Sequence, residues 1–216
     1  MLNLTPPFLL IINGRQGSGK SHLIKYIFRE NSISDTPFHY GIVFSNTAGF
    51  EGSHKYIPKE YIFDRFEPLA VRNLMDIQKG LTKKKRKKKC AFILFDDCLD
   101  DYKQFSNEYI KKLSTQLRHY NISMLISTQY PHLIPPRVRS NSMYVFILQV
   151  GSGRRELSSI YDCYANQFSN YEEFKKFYYE NIKDHKFFCY DNETDSFITY
   201  RAPEKIPKFK LKYRTK

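Results

Sequence analysis

The chain has 216 residues, of which 41% are hydrophobic, and it carries a formal net charge of +13. This length can bury a full core, and this hydrophobic content excludes an intrinsically disordered chain. Seven of the positive charges come from one run, residues 83–89 (KKKRKKK), and the rest of the chain is still basic. Basic surfaces attract polyanions, so nucleic acid is the first candidate partner and an anionic membrane surface the second. We expect no membrane span, because no segment approaches the roughly 20 apolar residues that one requires.

Five apolar runs predict five buried strands. Their sequences are mostly continuous rather than alternating, which is typical of strands that are covered on both faces. The runs lie at residues 8–12, 41–45, 91–95, 122–127 and 143–150.

Helical patterns separate these strands, and a hairpin pattern follows them. The helices are predicted at residues 21–30, near 68–79, at 107–119 and at 171–182, and the hairpin is predicted from KFFCY and SFITY around a polar turn. Alternating strands and helices predict an α/β domain with a mainly parallel central sheet, helices on both faces and a C-terminal β-hairpin. We expect one domain over residues 1–216, with an exposed basic loop at 83–89 and a basic C-terminal tail at 201–216.

The first predicted strand leads into GRQGSGKS, which fits the phosphate-binding pattern GxxxxGK[ST]. Glycines in such a loop let backbone N–H groups turn toward phosphates at a helix N-terminus. Lys20 would reach the β and γ phosphates of ATP, and the Ser21 hydroxyl would ligate Mg²⁺. The alternative is an ordinary glycine-rich turn. The predicted nucleotide-binding residues are Gly14, Arg15, Gln16, Gly17, Ser18, Gly19, Lys20, Ser21 and His22.

The third apolar run ends in two acids, as in AFILFDD. We predict that Asp96 holds Mg²⁺, directly or through water, and that Asp97 polarises the water that attacks the γ phosphate. The alternative for Asp97 is that it only begins a loop. Asp100 and Asp101 could extend this into a carboxylate cluster, but residues that start the following helix are the favoured interpretation.

Two further polar residues flank the fourth strand. Gln129 lies at its tip, where it could contact the γ phosphate and the water. Arg118 lies just before the strand and could stabilise charge on the phosphate in the transition state. Alternatively, Arg118 is only a favourable positive charge at a helix C-terminus. The competing arginines are Arg137, Arg139, Arg154 and Arg155.

Neither cysteines nor histidines suggest a metal or disulfide framework. The four cysteines form no CxxC pair, which favours a reducing compartment. The six histidines show no metal-binding spacing, so they are interpreted as structural or surface residues apart from the loop neighbour His22.

The series GRQGSGKS, ILFDD, LRHYNISMLISTQ and KFFCYDNETDSFITYR resembles the genome-packaging ATPases of poxviruses, giant viruses and virophages. These belong to the FtsK–HerA class of P-loop motors. The resemblance spans about residues 8–201. It implies a RecA-like P-loop NTPase fold of the ASCE type, with Gln129 as the sensor and Arg118 as an arginine finger that is offered to a neighbouring subunit.

By this resemblance, the expected function is ATP-driven translocation of double-stranded DNA into a viral capsid. The expected partners are duplex DNA, a homo-oligomeric ring of five or six subunits, and a capsid or portal-vertex protein. Two alternatives stay open, namely a small-molecule phosphotransferase and a nucleic-acid-binding protein that uses ATP as a switch. The expected location is the cytoplasmic virus factory and the virion.

The run at 83–89 matches no pattern of this family. It should enter the third strand at the end opposite the phosphate chemistry, and burial of seven charges without partners would be too costly. A solvated loop, a DNA contact and a nuclear-localisation signal are the three interpretations left open.

Overall fold

The apolar runs form the centre of one eight-stranded sheet in the computed structural model. The structure describes residues 4–48, 54–83, 89–99, 102–151, 153–165, 167–182, 186–211 and 213. The strands are β1 (Leu9–Asn13), β2 (Tyr40–Ser45), β3 (Ile62–Phe63), β4 (Ala91–Asp96), β5 (Ile122–Thr128), β6 (Tyr144–Ile147), β7 (Lys186–Asp191) and β8 (Ser196–Arg201). The helices are α1 (Lys20–Ser32), α2 (Pro68–Lys83), α3 (Tyr102–Phe105), α4 (Glu108–Tyr120), α5 (Pro136–Ser140), α6 (Arg154–Tyr164) and α7 (Tyr171–Asn181).

The strand order is β3-β2-β4-β5-β1-β6-β7-β8. The first six strands in this order are parallel, whereas β7 and β8 form an antiparallel hairpin beside β6. Strand β5 therefore lies between β1 and β4, with Asn13 paired to Thr128 and Asp96 paired to Ser127. This register brings the carboxyl ends of the three strands to the same edge of the sheet, which we call the carboxyl edge.

Helices cover both faces of the sheet, as the continuous apolar strands predicted. On one face, Leu23, Ile27 and Phe28 of α1 pack with alternate strand residues such as Leu10. On the other face, α2, α4, α6 and α7 pack against the remaining strand residues through side chains that include Leu113 of α4. The fold class predicted from the sequence, a mixed α/β fold with a mainly parallel sheet and a C-terminal hairpin, is confirmed.

The fifth apolar run forms a shorter strand than predicted. Strand β6 ends at Ile147, and the chain then pairs with the phosphate-binding loop, because Arg15 N–H donates to the Gln149 carbonyl at 2.9 Å. The buried hydroxyl of Tyr178 accepts a hydrogen bond from Val150 N–H at 2.8 Å. Helix α6, whose buried residues include Leu157 and Ile160, was not predicted from the sequence.

The amino edge of the sheet carries the two ends of the lysine run. Helix α2 ends at Lys83, and the Gln78 side chain donates to the Lys89 carbonyl at 2.7 Å just before β4 begins. Residues 84–88 lie outside the described residues, so the predicted basic loop stays a prediction. Asp100 and Asp101 also lie outside them.

Residues 202–211, which we call the C-terminal strap, return from the end of β8 across the α1 face. Their end is anchored to the segment that precedes β3, since Leu211 N–H donates to the Tyr56 carbonyl at 2.8 Å. Beyond the strap, the Tyr213 hydroxyl donates to the Gly41 carbonyl at 2.9 Å. Within the described residues, none of the helices has the length and hydropathy needed to cross a membrane.

Candidate nucleotide site

The loop between β1 and α1 has a backbone that requires glycine. Gly17 and Gly19 have φ angles of 74° and 97°, in the left-handed region that other residues rarely adopt. A Cβ atom at Gly14 would lie 2.5 Å from the Ser18 hydroxyl oxygen. Helix α1 starts after Gly19 without a side-chain cap, so its first N–H groups can bind an anion.

Lys20 lies inside this loop and is almost fully buried. Its ammonium donates to the Gly14 carbonyl at 2.8 Å and contacts the Asp97 carboxylate at 3.0 Å. The ammonium is therefore held between the loop backbone and the carboxylate that follows β4.

Asp97 follows β4 and contacts groups at or beyond the carboxyl ends of β5 and β1. Its φ angle of 46° is a left-handed conformation that Asp tolerates, and its N–H donates to the Ser127 carbonyl of β5 at 3.1 Å. Its carboxylate contacts Lys20, and the Gln129 side chain lies close enough to influence its charge. Burial raises the pKa of Asp97 above the usual carboxyl value and the Asp96 charge adds to this, whereas Lys20 and Gln129 oppose it.

Asp96 is buried at the end of β4 and has a partner that the sequence did not indicate. His54 Nε2 lies 3.0 Å from Asp96 Oδ2, and His54 Nδ1 lies 3.1 Å from the Tyr56 hydroxyl. Burial raises the pKa of Tyr56 well above its usual value, with further contributions from Asp96 and Tyr213. The carboxylate can only accept, so Nε2–H donates to it, and in the neutral ring Nδ1 then accepts from the Tyr56 O–H.

The remaining predicted loop residues lie around the entrance. Ser21 is exposed in the first turn of α1, and the His22 ring lies 2.7 Å from the Pro203 carbonyl of the C-terminal strap. The Arg15 guanidinium donates to the Gln149 side chain at 3.0 Å, and Gln16 is exposed.

A cavity of about 320 Å³ opens beside the loop. Its mainly apolar walls include Leu148, Phe187 and Pro203, and its floor includes Gly17, Ser18 and Gly19. Such walls suit the planar base of a nucleotide whose phosphates lie in the loop.

The residues present fit a phosphate group with a magnesium ion. Among the described residues, no hydrogen-bond partner faces the buried Ser18 hydroxyl. Within the same residues, no group of three or more His, Cys, Asp or Glu side chains could hold a metal alone. Magnesium in phosphate-transfer sites takes one or two carboxylates together with substrate phosphates, so Ser21 and Asp96 are a sufficient protein contribution.

Arg118 lies at the other edge of the sheet from this site. It is exposed in the last turn of α4, which ends at Tyr120 just before β5 begins at Ile122. The length of β5 separates it from Gln129 by roughly 20 Å, at about 3.3 Å for each strand residue. Arg118 is therefore not brought together with the Lys20 site of its own chain.

The competing arginines differ in how exposed their side chains are and in whether these side chains form hydrogen bonds. The Arg139 guanidinium donates to the Ile134 carbonyl and is half-buried, whereas Arg137 is exposed in α5. Arg155 is exposed in the first turn of α6, and the side chain of Arg154 lies outside the described residues.

The fold is similar to that of a viral NTPase of known structure. The structure superposes with a TM-score of 0.68 on the genome-packaging NTPase B204 of Sulfolobus turreted icosahedral virus 2, solved in complex with ATP-gammaS. The likeness covers 92% of this chain and 98% of that chain at 19% identity.

Viral sequences are also similar. Uncharacterized protein 075L of Invertebrate iridescent virus 6 is 29% identical over 185 residues, covering 85% of this chain and 70% of that protein. Uncharacterized protein 088R of Invertebrate iridescent virus 3 is 29% identical over 201 residues, covering 90% and 75%. No model of a known protein family matches the sequence. The resemblance drawn from the sequence is confirmed at this level: the chain is similar to viral proteins, and its fold is that of the solved packaging NTPase.

Proposed function

We propose that this chain is the ATP-hydrolysing subunit of a viral motor that moves double-stranded DNA into a capsid. The observation that carries the proposal is the contact of the Asp97 carboxylate with the Lys20 ammonium at 3.0 Å, at the carboxyl edge where Gln129 follows β5. The similarity to viral proteins and to a packaging NTPase fold supports DNA as the cargo.

In the proposed reaction, each polar residue has one task. Lys20 would transfer its hydrogen bond from Asp97 to the β and γ phosphates, which frees the Asp97 carboxylate to accept a proton from the attacking water. Gln129 would orient that water and contact the γ phosphate. Ser21 and Asp96 would hold Mg²⁺, which offsets negative charge on the phosphates when it is bound. Arg118 would complete the site of a neighbouring subunit, because it lies far from its own.

We further propose that residues 1–216 act as one domain of the FtsK–HerA class in a ring of five or six copies. A domain of this size cannot encircle duplex DNA, so a ring is needed for processive movement. The ring would work in the virus factory or at the virion, where a capsid or portal-vertex protein would anchor it.

The first test is ATP turnover with and without duplex DNA. We expect DNA to stimulate the wild-type rate, and Lys20→Ala to lower it by about 100-fold or more, because a charge that is needed in the transition state is lost. Asp97→Asn should retain nucleotide binding but lose turnover. Lys111→Ala, which removes an exposed lysine on α4, is the matched control and should turn over at the wild-type rate.

Two outcomes would replace this proposal. Phosphorylation of a small acceptor would identify a phosphotransferase. Tight nucleotide binding with negligible turnover, in the presence and absence of DNA, would identify an ATP-dependent switch.

A further inference from the structure

A cavity of about 690 Å³ lies between the start of α1, residues 54–56 and the C-terminal strap. We call it the lysine cavity, because four of the nine lining residues are lysines and none is a carboxylate. Its lining consists of Ser21, His22, Lys25, His54, Lys55, Tyr56, Lys208, Phe209 and Lys210.

The C-terminal strap is fixed over this cavity by its apolar residues. The Phe209 ring stacks on Tyr56 with centroids 4.9 Å apart, and Leu211 is buried beside the same tyrosine. Lys208 and Lys210 alternate with these two anchors and are exposed. Lys208 and Lys210 line the cavity on either side of Phe209, so the anchored strap holds two exposed ammonium groups at its rim.

Among the described residues, the charges of the lysine cavity have no carboxylate partner. Within the described part of the chain, none of its four lysines forms a salt bridge. The cavity between α2 and α4 is different, because its cations Arg72, Lys79 and Lys112 lie among the carboxylates Asp76 and Glu108. Unneutralised ammonium groups close to one another repel, and a bound polyanion would relieve this repulsion.

The nucleotide has another place for its base. The cavity lined by Leu148 and Phe187 shares His22 with the lysine cavity, but its cation Arg201 lies 3.6 Å from the Glu204 carboxylate, whereas the lysine cavity has four lysines and no carboxylate. Several unpaired lysines around an open depression match successive phosphates of a polymer. A flat lipid surface would instead favour charges on a protruding surface.

We propose that the lysine cavity binds the phosphate backbone of duplex DNA. This inference rests on the proposed function, in which duplex DNA is the cargo. Because Ser21 and His54 line the cavity, the bound backbone would lie directly beside the proposed magnesium ligands. DNA binding and the state of the nucleotide site would then affect each other through shared residues.

The test compares two variants that each lose two positive charges. Lys208→Ser with Lys210→Ser removes charges from the lysine cavity, and Lys111→Ser with Lys112→Ser removes exposed charges from α4 on the opposite face of the sheet. Binding of a fluorescent duplex is measured by anisotropy over a series of salt concentrations. In the cavity variant, the slope of log affinity against log salt should fall by about 1.8, since each phosphate contact contributes about 0.9.

The control variant should keep the wild-type slope, and both variants should bind a fluorescent ATP analogue as the wild type does. Equal slopes in the two variants would overturn the proposal, and so would a parallel loss of ATP-analogue binding in the cavity variant. Loss of binding to anionic phospholipid vesicles with an unchanged DNA slope would assign the cavity to a membrane surface instead.

The proposed function is tested separately by the same preparation. If duplex DNA stimulates wild-type ATP turnover while the cavity variant keeps its salt slope, only the location of the DNA contact is wrong. If the wild-type protein neither binds duplex DNA nor is stimulated by it, the DNA motor itself is wrong and this inference fails with it. Unchanged melting temperatures would show that both variants are folded.

Discussion

The Asp96 carboxylate takes its orientation from a histidine 42 residues earlier in the chain. The side chains of His54 and Asp96 are only 2% and 7% exposed, so an unpaired charge on either would be costly. His54 adopts a left-handed φ of 63°, which few residues other than glycine or asparagine adopt readily. Its two ring nitrogens connect Tyr56 to Asp96, and one Asp96 oxygen therefore remains for a metal-bound water or Mg²⁺.

His54→Ala should weaken the response of nucleotide binding to magnesium. Loss of a residue that orients a metal-binding carboxylate typically costs 10–100-fold in metal affinity, so we expect a shift of about 10-fold or more in the Mg²⁺ midpoint. The midpoint is measured by Mg²⁺ titration of a protein that carries a fluorescent ATP analogue. Nucleotide affinity in EDTA should change little, because the phosphate-binding loop is untouched.

His132→Ala is the control for this experiment, since His132 is exposed and lies outside the cluster around Asp96. A His54→Ala protein that folds and shows the wild-type Mg²⁺ midpoint would remove His54 from a positioning role. A general loss of affinity with and without magnesium would indicate damage to the fold rather than to the metal site.

At the residue scale, the sequence predicted the positions of those site residues that belong to a short local pattern. Lys20 follows a glycine pattern, and Asp96, Asp97 and Gln129 follow apolar strands, so their placement at one sheet edge could be expected from parallel-strand geometry. The roles assigned to these residues stay predictions. The contact of His54 with Asp96 could not be expected, because it joins distant segments and no spacing of residues signals it.

At the scale of elements, the C-terminal strap closes the α1 face of the sheet. Leu211 is only 6% exposed, and its N–H pairs with the Tyr56 carbonyl. The sequence indicated a basic tail from the count of its charges, but the burial of alternate residues was not evident. Strand order and the helix α6 were also not predicted, since pairing between distant strands leaves no local pattern.

Leu211→Ala should lower the free energy of unfolding by about 2–3 kcal/mol, because it removes a buried side chain and leaves a cavity. Ile33→Ala is the matched control, since Ile33 is an aliphatic side chain that is 64% exposed. Its effect should stay within about 0.5 kcal/mol. Urea denaturation measures both values, and equal effects of the two substitutions would show that the strap contributes nothing to stability.

At the scale of the whole molecule, the two edges of the sheet carry different groups. The carboxyl edge carries Lys20, Asp97 and Gln129, whereas Arg118 is exposed at the amino edge. One subunit cannot use both edges for the same nucleotide. In a ring built from head-to-tail contacts, the amino edge of one subunit can face the carboxyl edge of the next. This arrangement would place an arginine beside each nucleotide without any change within the domain.

Mixtures of two inactive variants test this arrangement. Arg118→Ala keeps an intact nucleotide site but lacks the finger, and Lys20→Ala keeps the finger but lacks the site. Neither alone should hydrolyse ATP, whereas random rings from equal amounts should place the finger of one beside the site of the other at about a quarter of their interfaces. We therefore expect a similar fraction of the wild-type rate, measured in rings whose mixed composition is verified by native mass spectrometry.

A parallel mixture tests the competing arginine. In this mixture, Arg137→Ala replaces Arg118→Ala, because Arg137 is also exposed. If only that second pair complements, Arg137 supplies the charge, and if verified mixed rings of either kind stay inactive at every ratio, neither arginine acts between subunits.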